Sequence, residues 1–182
     1  MCLHTRNWWC PSMEKNDKKV FNEWMSHESK KRPMYVWLYY CFPALSAQSE
    51  NYSMFPGFFV HRMAEQTKMY HKAGIRGIFL EHSCEFGQTY LGDQLELYVQ
   101  WKMCSNVNVN LEKLINKFFN NYYGKAAKPM KQLYLAMEDT YINPKNYPEY
   151  IQKTNAHQHH NRKLTYEYLA TPKRLAKFVK LL

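Results

Sequence analysis

The sequence predicts an α/β fold with two or three parallel strands, flanking helices and a helical C-terminal region. Three observations carry this reading. Residues 35–42 (Tyr-Val-Trp-Leu-Tyr-Tyr-Cys-Phe) are a continuous apolar run with none of the alternation of a half-exposed strand, and residues 77–80 (Gly-Ile-Phe-Leu) form a second such run. A helical pattern from about Phe58 to His71, closed by Gly74, lies between them. Strand, helix and strand at this spacing imply parallel strands, because a chain returning through a helix re-enters the sheet in the same direction.

Taken in order, residues 2–9 suit an extended segment, and Asp17 or a neighbour is placed to cap a helix reaching about Glu28, with Val20, Phe21, Trp24 and Met25 as its apolar stripe. Pro33 ends that connection. The run at 35–42 is expected to be a strand buried on both faces. A loop containing Pro43, Ser46, Ser49, Asn51 and Pro56 leads to the 58–71 helix, and the second strand closes at Glu81 and a polar loop to Thr89. The remainder reads as helices at about 91–103, at 111–122 with Asn110 as cap and Gly124 as stop, and at about 126–141. Residues 143–163 are loop-like with one short helix near Pro148 to Lys153. Thr171 and Pro172 then open a last helix. The expected organisation is a principal unit over 1–142, with a basic loop and terminal helix at 143–182 packed on it.

A hydrophobic content of 46% excludes wholesale disorder. Lys and Arg number 25 against 15 Asp and Glu, which raises the possibility of a polyanionic partner. The excess is concentrated from Asn143 onward, where eight basic residues face Glu149 and Glu167 alone, and no helix-turn-helix, zinc-finger or RNA-recognition signature accompanies it. Nucleic-acid binding is therefore the last-ranked class. Five cysteines, an odd number without a CxxC pair, suit isolated reduced thiols. No apolar run of 18 residues and no charged leader followed by an apolar core is present, so the expectation is a cytoplasmic chain with no membrane partner. GxGxxG, Walker, GxSxG and HExxH patterns are all missing, which leaves nucleotide binding, serine hydrolysis and zinc-protease chemistry without support. His157, His159 and His160 read as a solvated loop rather than a metal centre, and no cofactor is expected.

Four motifs occur in a suggestive order: Tyr35-Val-Trp-Leu-Tyr39, Phe55-Pro-Gly57, Ala73-Gly-Ile-Arg-Gly-Ile-Phe-Leu-Glu81 and Tyr122-Tyr-Gly-Lys-Ala-Ala127. Over roughly Met34 to Tyr141 the chain resembles a bacterial domain of unknown function found in TIM-barrel carbohydrate-active proteins, akin to α-glucuronidases. The resemblance implies a partial (β/α) barrel, since a whole one needs about 250 residues. It implies that these are the last strands plus C-terminal helices. It also implies a carbohydrate partner and, for the rest of the barrel, a missing N-terminal half or another chain. Two positions depart from the family pattern: Leu38 stands where an acidic residue is common, and Asn106-Val107 stands where Asn-Pro is usual.

In such barrels the C-terminal ends of the strands line the active site. Glu81 matches the acidic residue expected after the second strand, and Glu85 lies four residues on, so these are the candidate catalytic carboxyls of a glycoside hydrolysis that uses two. Trp8, Trp37, Tyr39 and Tyr90 are the candidate sugar platforms, because a pyranose packs its apolar face on an aromatic ring, and His82 is a candidate polar contact. Core packing is the competing reading for each strand aromatic, since alternate side chains point opposite ways. If the partner acid of Glu81 lies instead in the missing half of the barrel, the isolated chain is expected to be inactive.

Overall fold

The structure is a computed structural model, and it describes residues 1–3, 7–39, 55–81, 94–153 and 161–182, with backbone alone for Tyr39 and Glu81. The fold is mixed α/β and mostly helical, around a small three-stranded parallel sheet. β1 (Cys2–Leu3), β2 (Tyr35–Tyr39) and β3 (Gly77–Glu81) lie in the order β1-β2-β3, so β2 is central. α1 (Pro11–Glu28) joins the first two strands and α2 (Val60–Lys72) joins the second pair. There follow α3 (Gln94–Ser105), α4 (Leu111–Tyr123), α5 (Ala127–Ile142), the short α6 (Glu149–Gln152), a π-helical turn at Leu164–Leu169, and α7 (Pro172–Val179). No described helix is long and apolar enough to cross a membrane.

Helix boundaries follow local chemistry where the cap is in the sequence. The Asn110 side chain accepts from the Lys113 N–H at the start of α4, and Gly124, at φ +53°, ends that helix with its N–H on the Asn120 carbonyl. Thr171 caps α7 through the Arg174 N–H, with Pro172 in the first turn. α1 differs from expectation. It starts at Pro11, whose fixed φ and missing N–H suit a first helical position, so Asp17 is an interior residue rather than a cap. Its buried residues are Met13, Asp17 and Phe21, one per turn along a narrow face.

The expectation of a strand buried on both faces is overturned. Val36 and Leu38 are 1% and 0% exposed and share a core with Met13 and Phe21 of α1 and Met63, Ala64 and Tyr70 of α2. On the opposite face Tyr35 and Phe79 are each 58% exposed and Trp37 is 44% exposed. Continuous apolarity concealed a two-sided environment, because aromatic residues occupy the open side where polar ones normally mark it.

The helices complete the core with aromatic contacts. Phe119 and Phe58 each meet the Tyr134 ring edge-on, at 5.2 Å, and the hydroxyls of Tyr123 and Tyr134 are 2.9 Å apart. In the Phe-Pro-Gly motif, Phe55 is buried and Gly57 lies against the Tyr141 ring, which a Cβ there would approach to 3.2 Å. Tyr147, Ile151, Leu164, Leu169 and Phe178 belong to the same core, so the described part of the C-terminal segment packs on the α/β unit. The π-helical turn at Leu164–Leu169 lies in a region read from the sequence as loop-like.

Candidate functional site

All three strands end on the same side of the sheet because they are parallel. The register pairs Tyr35 with Gly77, Trp37 with Phe79 and Tyr39 with Glu81, while Cys2 pairs with Trp37. Aligned residues share a face, so the open side of the sheet is a two-strand array of Tyr35, Trp37, Gly77 and Phe79, and the strands end at Tyr39 and Glu81. A Cβ at Gly77 would stand 2.8 Å from Tyr35 Cδ1, so any larger residue there would force the exposed Tyr35 ring to shift. Next along, the Trp37 and Phe79 rings meet edge to face with centroids 4.8 Å apart. The result is an aromatic surface leading to the position of an acidic residue.

Of the residues singled out from the sequence, Trp37 stands on this surface and is accessible. Glu81 is the last residue of β3 and Tyr39 the last of β2, aligned with one another. His82, Glu85 and Tyr90 lie outside the described residues, as do His157, His159 and His160. Trp8 is corrected. It is buried, its Nε1 donates to Asp17 Oδ2 at 2.9 Å, and Lys18 Nζ lies 5.4 Å from its ring centroid, so it holds the start of α1 and offers no platform to a sugar. Among the described residues no group of three metal-binding side chains occurs.

A second constellation was not anticipated. α2 runs back from the C-terminal end of β2, which places its first turn at the same end of the sheet. Phe59, at its N-cap position, has no side chain able to accept from the free N–H groups there. Distant carboxylates take that role: Glu96 Oε1 of α3 accepts from the Phe59 N–H, and Glu138 Oε1 of α5 accepts from the His61 N–H, each at 2.8 Å. The His61 ring is held between Glu138, at 2.6 Å from Nδ1, and Glu112 of α4, at 2.9 Å from Nε2. Lys131 completes the chain at 3.2 Å from Glu112.

Hydrogen bonding to Glu138 above all, with Glu112 adding to it and burial opposing, pushes the His61 imidazole up to about 9, so it is charged at neutral pH and donates from both nitrogens. The His61 contact in turn holds the Glu112 carboxyl below its ordinary range. These carboxylates are committed to backbone and imidazole donors. The cluster therefore reads as a clamp joining α2, α4 and α5, with Glu96 adding α3.

A protein-family model described as Domain of unknown function (DUF4838) matches residues 6–136. The chain belongs to this family. The DUF4838 match takes in α1, β2, α2 and β3, and ends within α5; it therefore includes the open face and His61 but not Glu138, two residues beyond its limit. No curated protein and no solved structure matches the chain. On the open face of this DUF4838 domain a half-exposed indole and two neighbouring aromatic rings lie below the strand end at Glu81. Such a surface suits a ligand with apolar ring faces and polar edges.

Proposed function

We propose that this DUF4838 domain is a carbohydrate-active module of glycoside-hydrolase type, forming part of a (β/α) barrel whose interior side is the open face of the sheet. The observation that carries the reading is the exposed Trp37–Phe79 pair on a parallel sheet, two residues below the aligned strand ends Tyr39 and Glu81. Parallel sheets are normally covered on both faces. One covered and one open face is the arrangement left when strands and helices stand on one side of a barrel wall and the rest of the wall is supplied from elsewhere.

In this reading the sugar ring stacks on Trp37, and the Glu81 carboxyl serves the glycosidic oxygen or the attacking water. Glycoside hydrolysis needs a second carboxyl group at about 5 to 9.5 Å. Glu85 is the candidate within this chain, and the rest of the barrel is the other source. The expected behaviour of the chain alone is binding without turnover. The resemblance to α-glucuronidase-like proteins makes uronic-acid and neutral oligosaccharides the first ligands to try.

The test is a thermal melt with a panel of these oligosaccharides on the unaltered chain and on Trp37→Ala. A saturable rise in melting temperature with one class of sugar, lost in Trp37→Ala, supports the assignment. No shift with any sugar, or a shift unaltered by Trp37→Ala, overturns it. For the catalytic role, Glu81→Gln in a full-length homologue should abolish glycosidase activity, and retained activity would remove Glu81 from the mechanism.

A further inference from the structure

α1 and α2 both finish at the end of the sheet opposite Glu81, because each leads into the start of a parallel strand. The two connections lie side by side there: the Arg76 N–H, just before β3, donates to the Met34 carbonyl, just before β2, at 2.9 Å. Each connection is tight. The Lys31 and Arg32 N–H groups turn back to the Glu28 carbonyl, and the Gly74 and Ile75 N–H groups turn back to the His71 and Tyr70 carbonyls. A barrel wall completed beside β1 and β3 leaves this end of the strands uncovered.

The fold gathers charge at this rim. Residues 28–34 carry Lys30, Lys31 and Arg32, and residues 68–76 carry Lys68, Lys72 and Arg76, all of them exposed, with Glu28 as the one acidic residue of the two segments. Glu28 is shared between Lys31 and Arg32. Among the described residues no carboxylate pairs with Lys30, Lys68, Lys72 or Arg76. A cation in the last turn of a helix complements its dipole, which accounts for Lys72. That effect fades beyond the last turn, where Lys30, Lys31, Arg32 and Arg76 lie.

We propose that this rim is a second glycan-binding surface, apart from the Trp37 face, and that its ligand is an acidic polysaccharide. Its unpaired lysines and arginine meet the carboxylates or sulfates of the chain, and a guanidinium can take a carboxylate through both oxygens. α1 and α2 also turn their last-turn carbonyls toward the same rim. A glycan supplies hydroxyl donors to such acceptors, whereas a DNA backbone offers acceptors alone. Residues 28–34 and 72–76 present no exposed aromatic or large aliphatic side chain for insertion into a lipid surface. The choice of a glycan over other polyanions rests on the carbohydrate reading; the basic rim itself does not.

The test is fluorescence anisotropy of labelled polygalacturonate and heparin fragments titrated with the full chain at low ionic strength, with far-UV circular dichroism to verify folding. Binding that weakens as salt rises is expected, and Lys30→Glu combined with Arg76→Glu should reduce affinity by at least roughly tenfold. Lys173→Glu combined with Lys177→Glu, an equal change of net charge at exposed positions of α7, should stay within about twofold. Trp37→Ala should leave polyanion binding unaltered, and the rim variant should keep any melting shift given by neutral oligosaccharides, so either reading can fail while the other holds. No binding of either polymer, equal losses in the rim and α7 variants, or a rim variant that binds as the unaltered chain does would each overturn the surface. Duplex DNA or anionic phospholipid vesicles bound as tightly as the polysaccharides, and released by the same rim variant, would overturn the acidic glycan as its ligand.

Discussion

The two faces of the small sheet both carry apolar side chains, aliphatic on one and aromatic on the other, and live in opposite environments. Val36 and Leu38 are enclosed by α1 and α2, while Tyr35, Trp37 and Phe79, one residue away along the same strands, stand in the open. A strand's alternation alone separates them. Apolar character therefore fails to tell core from surface here, and the difference shows which residues are spent on stability and which remain for a ligand. The same division appears at the C-terminal end of the strands, where Glu96 and Glu138 are consumed in holding α2 while the strand-end position of Glu81 follows on from the open aromatic surface.

Substitutions can break this comparison in order of expected size. Leu38→Ala, on the enclosed face, should cost about 2–5 kcal/mol in urea denaturation through lost burial and the cavity left behind. Phe79→Ala at the equivalent depth of the open face should stay within roughly 1 kcal/mol, and equal losses at the two sites would erase the distinction between the faces. Glu138→Gln should come next, at about 1–3 kcal/mol, because it weakens the acceptor for the His61 N–H and leaves the imidazolium with Glu112 alone. Asn110→Ala, which removes the cap of α4, should cost about 1 kcal/mol.

The pH profile sharpens the account of the clamp. His61 is raised from its ordinary 6.5 to about 9 in the folded chain, so its contribution is complete below pH 6.5 and is lost as pH climbs through about 9. Stability should therefore decline across that window in the unaltered chain, and the decline should flatten in Glu138→Gln. A slope unchanged by this substitution would show that another group titrates. The size of the effect is limited because His61 is partly exposed.

Much of the architecture was legible because its signals are local. Asn110 and Gly124 bracket α4, Thr171 and Pro172 open α7, and Gly74, at φ +84°, closes the crossover between β2 and β3. What escaped the sequence depends on contacts between distant residues. Glu96 reaches a helix start 37 residues away and Glu138 one 77 residues away, and neither separation leaves a trace in spacing or composition. Trp8 was misread for a related reason: its partner Asp17 looked like a helix cap, whereas Pro11 had already started the helix. Of the candidate site, the strand-end placement of Glu81 followed from recognising the second strand, whereas the first was expected to run to Phe42, beyond the described end of β2 at Tyr39, and which aromatics are open depended on knowing where the helices pack. His82, Glu85 and Tyr90 lie beyond the described residues.

The central claim, that the open face of the sheet receives carbohydrate at Trp37, is tested most directly by following the five tryptophan indole N–H signals by NMR during titration with uronic-acid and neutral oligosaccharides. Trp8 and Trp9 are buried, and Trp24 and Trp101 are exposed on α1 and α3, so the protein carries its own controls. The account predicts a saturable shift of the Trp37 signal with one class of sugar while the other four stay in place. A Trp37 signal that remains still with every sugar, or one that moves no more than those of Trp24 and Trp101, would contradict it.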